Sequence, residues 1–284
     1  FLNFAALAPG VRVITDEFRQ EIKAGALAAR DTNVFIDGVS LKSDLLEGGV
    51  VGQDASRGNP FPQGAVQEFR VLSQNYKAEF EKASSAIITA VTRSGGNRWS
   101  GDAFTFYQDK HLVELDEFAR QRDLPKPEYS RFQSGGAIGG PIIANRAQVF
   151  ASYEQNRQNR DSQVFLGNRS VSGPPALIES LRRYEGTFTS PFREHLLFTK
   201  LSAQPRQDHT LELTYSLRNE TDVRGFGNDT SYEAAENVRN RVDTVNGRYQ
   251  VARPGWLNEA IVSYLRYRWN PTPLDTSQPG ITYQ

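Results

Sequence analysis

Three histidines, His111, His195 and His209, are the residues of this 284-residue chain best suited to metal binding or proton transfer. A metal site needs a second His or Cys at ligand spacing, and none of the three has one. The Asp208-His209 pair resembles part of a catalytic dyad, but it lies in a predicted tight turn, and the chain contains no G-x-S-x-G nucleophile elbow. We therefore predict no catalytic residue, no metal site and no cofactor, and we expect that the protein is not an enzyme.

A glycine-rich run over Ser134–Pro141, with the sequence SGGAIGGP, is similar to a phosphate-binding loop. It lacks the Lys-Ser/Thr ending of such a loop, and Pro141 stands where the following helix would begin. Small residues in a strand instead let a sheet curve or let another unit approach closely. Asp37 and Gly38 resemble the start of a calcium loop, but the alternate acidic positions are absent, and we predict a turn after a strand.

The charges of the chain balance, with 33 Lys and Arg against 33 Asp and Glu. Nucleic acids are bound mainly through positive charge, so this balance predicts no nucleic-acid partner. The absence of Cys excludes disulfides, thiolate metal sites and cysteine nucleophiles. The chain also has no Met and starts at Phe1, which predicts a fragment or mature piece whose signal peptide would lie upstream.

The predicted strands divide the chain into two regions. Up to about Arg98 we predict a compact mixed domain with short strands at Asn33–Val39, Gln67–Leu72 and Ala86–Arg93, separated by loops such as Glu47–Gly64. From Arg98 onward longer segments with period-2 character follow. We predict seven strands there, at residues 98–108, 129–143, 147–158, 193–204, 209–219, 238–252 and 256–269.

The connections between these seven strands alternate between long and short. The short ones are Ala144–Arg146, Pro205–Asp208 and Arg253–Gly255. In an antiparallel sheet this places every tight turn at one rim and every long loop at the other, as in an outer-membrane barrel. A long connection over residues 159–192 contains Pro174-Pro175 followed by a predicted short helix at Ala176–Tyr184, which is a candidate ligand-contacting element.

The clearest strand, Thr210–Arg218, places Leu and Tyr on one face and polar residues on the other. The apolar face would meet a core in a soluble protein and lipid in a barrel, so the pattern alone does not choose. Trp256 and Trp269 are 13 residues apart. This is about 30 Å along the membrane normal for a tilted strand, which suits two interfacial girdles, although their opposite parity places one of them in a turn.

Several blocks resemble TonB-dependent outer-membrane receptors of the Oar-like branch. NVFIDGV at Asn33–Val39, AVQEFRVL at Ala65–Leu72 and the stretch Asn75–Gly95 resemble the plug of that family, and the opening FLNFAALAPGV at Phe1–Val11 fits the same branch. Three further blocks resemble the first barrel strands of the family: WSGDAFTF at Trp99–Phe106, RFQSGGAIGGPI at Arg131–Ile142 and VFASYE at Val149–Glu154.

This resemblance implies a mainly β fold in which a small mixed α/β plug domain, residues 1–97, precedes the first strands of a large antiparallel transmembrane β-barrel, residues 98–284, incomplete in this chain. The chain departs from the family at Phe80-Glu81 and Ser84-Ser85, where relatives carry glycine, and a somewhat different turn or mild strain is expected there. Seven strands cannot enclose a plug, so most of the barrel is expected beyond Gln284.

By resemblance, the function is uptake of a ligand across the outer membrane of a Gram-negative-type bacterium, with the plug gating the barrel. The implied partners are the TonB energising complex, contacted by a segment upstream of this chain, outer-membrane lipid, and an unknown small ligand, glycan or peptide, with no substrate-binding residue assigned. Plug arginines would contact acidic groups of the wall, from the set Arg12, Arg19, Arg30, Arg57, Arg70 and Arg93. The alternative is a secreted soluble all-β domain that recognises glycan or protein through long loops.

Overall fold

The computed structural model describes residues 6, 8–15, 19–24, 27–43, 49–53, 55–73, 76–77, 80–114, 120, 126–165, 174–277 and 280–282. Most of the opening block Phe1–Val11 and parts of the Glu47–Gly64 loop and the Asn75–Gly95 block lie outside these residues. In the described part of the chain, no helix has the length and apolar character needed to cross a membrane.

Seven long antiparallel strands form one open sheet, which we call the wall, in the order β13-β12-β11-β10-β9-β8-β7. Each strand pairs with its neighbour in sequence, and β7 and β13 are the edges. All seven predicted strands are confirmed, several of them longer than expected. Their bounds are β7 Ser100–Asp109, β8 Tyr129–Ile143, β9 Ala147–Val164, β10 Gly186–Arg206, β11 His209–Arg224, β12 Glu236–Arg253 and β13 Trp256–Pro273.

The alternation of short and long connections is also confirmed. Two- or three-residue turns follow β8, β10 and β12 at one rim of the wall, and the longer connections lie at the other rim. In one short turn, the hydrogen bond from Arg253 Nε, 3.0 Å from Asp208 Oδ2, holds the pKa of Asp208 below its ordinary value. In a long connection, the predicted helix is present as α1, Pro175–Arg182, which begins directly after Pro174.

The described residues before the wall, 6–97, form a second body that we call the N-terminal unit. Its four-stranded sheet has the order β4-β3-β6-β5, with β3 and β6 parallel, and β1 and β2 form a separate antiparallel pair. The pair β1 and β2 was not predicted. The bounds are β1 Val11–Thr15, β2 Gln20–Ala24, β3 Thr32–Ile36, β4 Val39–Ser40, β5 Val66–Leu72 and β6 Ala86–Thr92.

The predicted strand Asn33–Val39 is interrupted by a tight turn. Asp37 and Gly38 have φ values of 48° and 81°, so the chain reverses there and β4 pairs back on β3. Positive φ at both central positions is the geometry of a hairpin turn and suits an Asp-Gly pair. The prediction of a turn at this pair is therefore correct, and it ends β3 at Ile36.

The segment that departs from the family pattern accommodates its side chains without glycine. The left-handed residue in 80–95 is Lys82, with a φ of 56°. The Phe80 ring meets Phe35 edge-on at 5.3 Å, and the backbone N–H groups of Ser84 and Ser85 both donate to the Asp31 carbonyl. The four positions thus accommodate Phe, Glu and Ser side chains, and that their turn differs from a glycine-bearing one stays a prediction.

One face of the wall is buried and combines charged side chains such as Glu194 with apolar ones such as Phe198, whereas the other face is exposed. On β11, Thr214, Arg218 and Glu220 are buried, whereas Leu211 and Leu213 are each 48% exposed. The register carries this alternation across β9 to β12, so the buried face, which we call the inner face, is continuous. A soluble sheet would bury these leucines and leave charged side chains such as Arg218 in water.

The two wall tryptophans lie on different faces. Trp256 is the first residue of β13 and points to the exposed outer face, whereas Trp269 pairs with Asn240 and therefore points to the inner face. The suggested pair of aromatic girdles is thus not formed by these two residues, because a difference of 13 positions reverses the side of a strand.

Candidate functional site at the inner face of the wall

The N-terminal unit lies on the inner face of the wall through one polar segment. This wall-facing segment comprises residues 49–53 and 55–65, between β4 and β5. It meets a set of buried acidic side chains on three adjacent strands: Glu154 on β9, Glu194 on β10, and Glu220 and Asp222 on β11. Buried carboxylates are stable only when hydrogen-bonded or paired, so the partners of these four define the interface.

The strongest charge pair across the interface joins Arg57 and Asp222. The Arg57 guanidinium lies 2.6 Å from Asp222 Oδ1, and the two side chains are only 8% and 5% exposed. The same guanidinium donates to Ser190 Oγ at 3.2 Å and stacks over the Phe192 ring at 5.2 Å. A short, desolvated ion pair with these further contacts fixes the position of the N-terminal unit on the wall.

Glu220 is the most heavily hydrogen-bonded carboxylate at this interface. It accepts hydrogen bonds from Ser56 Oγ at 2.9 Å, Arg218 Nε at 2.7 Å and Asn240 Nδ2 at 2.9 Å. Arg218 also donates to the Gly52 carbonyl and to Gln53 Oε1 of the wall-facing segment. The wall therefore offers both an anionic acceptor, Glu220, and a cationic donor, Arg218, to the same stretch of the N-terminal unit.

Glu194 and Glu154 receive backbone donors from the wall-facing segment. The Asn59 N–H donates to Glu194 Oε1 at 2.6 Å, and the Gln63 N–H donates to Glu154 Oε2 at 3.0 Å. The approach is so close that a Cβ at Gly58 would overlap the carboxylate of Glu194. Glycine at position 58 is therefore a packing requirement.

Asp37, in the turn between β3 and β4, forms a second contact region. Its carboxylate accepts a hydrogen bond from the Thr92 N–H at 2.9 Å and lies 3.6 Å from Lys200 Nζ of the wall. Lys200, 5% exposed, is also 3.3 Å from Glu212 Oε1. Arg248 of β12 donates to the Asp37 carbonyl. The Asp-Gly turn is therefore an anchor to the wall.

Apolar contacts beside the polar network also belong to the interface. The Phe61 ring packs against Phe198 at 5.1 Å, and Phe198 packs against Phe150 at 6.2 Å. A narrow cleft remains between Ile36, Val50 and the wall residues Thr214 and Thr244. Elsewhere the two bodies share one apolar cluster, in which Phe61 packs with Phe150 and Phe198 of the wall.

The glycine-rich run lies in the middle of β8 and takes part in this approach. A Cβ at Gly139 would lie 3.2 Å from Gly95 Cα, and the Trp99 ring packs directly on Gly140. The prediction that small residues here permit close approach is confirmed. No phosphate-loop geometry is present in this run, because it is extended strand throughout.

Two of the six predicted arginines reach acidic groups of the wall. They are Arg57 and Arg93, the latter 2.8 Å from Asp102 Oδ1 of β7. Arg19 and Arg70 pair instead with their near neighbours Glu21 and Glu68.

The histidines lie apart from the interface. His111 is in a turn, and His195 and His209 contact Tyr153 and Tyr249. Among the described residues no cluster of three or more His, Cys, Asp or Glu side chains is arranged to hold a metal.

Sequence reasoning missed the acidic residues of the wall and the role of the wall-facing segment, which it interpreted as a plain loop. A signal was present: Glu194, Lys200, Arg218, Glu220 and Asp222 recur at even positions, on the face opposite Leu197, Leu201, Leu211 and Leu213. Charged residues at period 2 opposite an apolar face indicate a buried polar surface as soon as the apolar face is assigned to lipid. The site holds the N-terminal unit against the wall by polar and aromatic contacts.

Comparison with known proteins agrees with this architecture. Residues 91–168 match a family model described as an outer membrane beta barrel domain. The TonB-dependent transporter Oar of Myxococcus xanthus is 26% identical over 157 residues, which cover 54% of this chain and 14% of Oar. The predicted resemblance to TonB-dependent outer-membrane receptors of the Oar-like branch is confirmed.

Solved structures of TonB-dependent receptors share the fold. The outer membrane transporter YddB from Escherichia coli superposes with a TM-score of 0.66 at 10% identity, over 93% of this chain and 36% of YddB. A ferric enterobactin receptor (PfeA) mutant from Pseudomonas aeruginosa gives 0.61 at 14% identity, over 94% of this chain and 38% of its own. The chain thus spans well under half of the length of these relatives, and its location is the bacterial outer membrane.

Proposed function

We propose that this chain provides the plug and the first barrel strands of a TonB-dependent transporter that takes up a ligand across the outer membrane. Residues 1–97 would be the plug and residues 98–284 the first part of the barrel wall. The observation that carries the proposal is which side chains of the wall are buried. Charged side chains such as Arg218 and Glu220 are buried against the N-terminal unit, while Leu211 and Leu213 are exposed on the outer face. A lipid-facing barrel with an occupied lumen has this arrangement.

The soluble binding domain requires the opposite arrangement, with the apolar face of the strands packed on a second sheet. The apolar face of the described strands has no such cover. The relatives named above are transporters and receptors, which supports a transport role and not an enzymatic one.

In the proposed mechanism, a ligand binds on the long-loop side and the TonB complex pulls on a segment upstream of the plug. The plug then shifts along the inner face and opens a path beside the wall. The interface suits such movement, because its ion pair and hydrogen bonds join polar groups that can exchange each other for water. The ligand would be a small molecule, glycan or peptide.

A disulfide between the two bodies tests this mechanism. A Cβ on residue 64 would lie 3.7 Å from the Ala137 Cβ, within the range for an unstrained disulfide. The chain has no cysteine of its own, so Gly64→Cys with Ala137→Cys can form one defined bridge. The matched control is Gly136→Cys with Ala103→Cys, whose Cβ atoms would be 3.6 Å apart within the wall.

A second experiment measures plug movement directly, by maleimide labelling of a single-cysteine variant in energised cells. A single reporter, Ser56→Cys, is 1% exposed at rest, so labelling of this residue reports separation of the plug from the wall. We expect labelling to rise with ligand-containing medium and an intact TonB complex, and to stay at the resting level without TonB. Equal labelling with and without TonB would contradict the proposal.

The bridged variants are assayed for growth or uptake on the same medium. We expect the 64–137 bridge to abolish uptake until a reductant is added, whereas the 103–136 bridge leaves uptake intact. Uptake that persists with the 64–137 bridge fully formed would refute plug movement at this interface.

A further inference from the structure

The outer face of the wall changes character along its strands. Near the short turns, its rows are apolar, for example Val149, Leu201, Leu213, Gly247 and Val262, which the register places side by side. Toward the long connections the rows become rich in arginine. The register brings six arginines onto this part of the outer face: Arg157, Arg193, Arg239, Arg241, Arg266 and Arg268. We call these six the arginine belt.

The arginine belt contains like charges directly opposite one another. Arg157 pairs in register with Arg193, and Arg241 pairs with Arg268. Directly opposed like charges destabilise a sheet unless something neutralises them. Two such pairs on one surface therefore indicate a missing anionic partner.

Side chains of the wall neutralise little of this charge. In the three rows that contain the belt, Asp243 is the one carboxylate among the described outer-face residues, and it is bound by Arg241 Nε at 2.8 Å. Arg193 donates only to neutral oxygens, the carbonyls of Gln158 and Phe192 and the Asn159 side chain. The other side chains of the belt, Arg157, Arg239, Arg266 and Arg268, are exposed.

We propose that the arginine belt binds the phosphate groups of lipid headgroups in the leaflet on the long-connection side. The belt lies immediately beyond the apolar rows, at the level where lipid headgroups meet water if the apolar rows face lipid tails. Guanidinium groups form bidentate hydrogen bonds with phosphate, and their aliphatic stems extend over apolar surface. This inference rests on the proposed membrane wall and adds a specific lipid partner to it.

The test uses the full-length protein, purified in neutral maltoside micelles and examined by native mass spectrometry. The probes are bis-phosphorylated lipid A, the same glycolipid after removal of its phosphates, and inorganic phosphate alone. The variant is Arg157→Gln/Arg193→Gln/Arg268→Gln. The matched control is Arg98→Gln/Arg146→Gln/Arg206→Gln, which removes three exposed arginines at or beside the short-turn rim.

We expect the phosphorylated lipid to bind the wild type and the control equally, and the belt variant at least about tenfold more weakly. Equal binding of the dephosphorylated lipid, or equal competition by inorganic phosphate at matched concentration, would overturn the proposal. So would a belt variant that keeps wild-type affinity.

Circular dichroism and heat-modifiable migration on gels verify that each variant is folded. If the belt variant does not fold, single variants Arg157→Gln and Arg268→Gln take its place, each expected to weaken binding about threefold or more. The assay needs neither TonB nor a transported ligand, so a negative result here leaves the bridge experiment on plug movement unaffected.

Discussion

Glu194 and Glu220 lie directly opposite each other on β10 and β11, and their side chains are almost completely buried between the wall and the N-terminal unit. Their partners differ. Glu220 is bound by the Arg218 guanidinium at 2.7 Å, whereas Glu194 accepts hydrogen bonds only from neutral groups, the Asn59 N–H and the Asn156 amide. Two adjacent buried carboxylates disfavour each other's charge, so the arginine stabilises the charge of Glu220 and leaves a charge on Glu194 unfavourable.

This asymmetry predicts opposite outcomes for two equivalent substitutions. Glu220→Gln leaves Arg218 buried without a counter-ion and should lower the free energy of unfolding by about 3 kcal/mol. Glu194→Gln retains an oxygen for the Asn59 N–H and removes the repulsion, so its effect should stay within about 1 kcal/mol of zero. Urea titration of the detergent-solubilised protein measures both values, and equal losses would refute the assignment of Arg218 to Glu220.

The ion pair of Arg57 and Asp222 should contribute measurable coupling between the two bodies. A double-mutant cycle with Arg57→Ala and Asp222→Ala is expected to give a coupling energy of about 2 kcal/mol, because both side chains are desolvated. The control is the pair Arg70 and Glu68, equally short at 2.6 Å but 72% and 53% exposed. Its coupling should be below about 0.5 kcal/mol. Similar values for the two cycles would show that burial does not strengthen the pair across the interface.

The sequence predicted the wall far better than the site. Alternation along strands such as Thr210–Arg218 and the turn at Arg253–Gly255 are local signals, so all seven strands and the rim asymmetry could be derived. The contact between Arg57 and Asp222 joins residues 165 positions apart, and no local pattern reports it.

Two further features, the faces of the wall tryptophans and the β1–β2 pair, were not predicted correctly from the sequence. Trp256 and Trp269 were grouped as possible girdles on the expectation that one of them lies in a turn, but both are residues of β13 and point to opposite faces. The strands β1 and β2 are five residues each, and the alternation in Val11-Arg12-Val13 and Glu21-Ile22-Lys23 is too short to indicate a strand by itself. Their pairing follows from packing against the core of the N-terminal unit, through Val11 and Ile22.

Gly58 should tolerate no side chain. A Cβ at this position would overlap Glu194 and lie 2.6 Å from Glu220 Oε1, so Gly58→Ala must displace buried carboxylates or the backbone. We expect a loss of about 1 to 3 kcal/mol in the free energy of unfolding. Gly247→Ala is the control, because a Cβ there meets nothing within 4 Å, and it should be neutral or slightly stabilising. A neutral Gly58→Ala would mean that the wall-facing segment lies farther from the acidic residues than the structure shows.

The last prediction concerns the apolar outer face of the wall and whether it meets water or lipid tails. Leu213 is 48% exposed on this face, in the middle of the apolar rows. In water, Leu213→Lys at such a site would cost little, but against lipid tails it should cost about 2 to 4 kcal/mol. We expect the variant to reach the outer membrane in a heat-modifiable form at a small fraction of the wild-type amount.

Asn219→Lys is its matched control, on the same face of the same strand but level with the arginine belt, and it should assemble like the wild type. If both variants assemble equally well, the outer face does not meet lipid tails. A loss for Leu213→Lys alone places the boundary between lipid tails and headgroups on β11 between positions 213 and 219, because only the deeper site is intolerant of a charge.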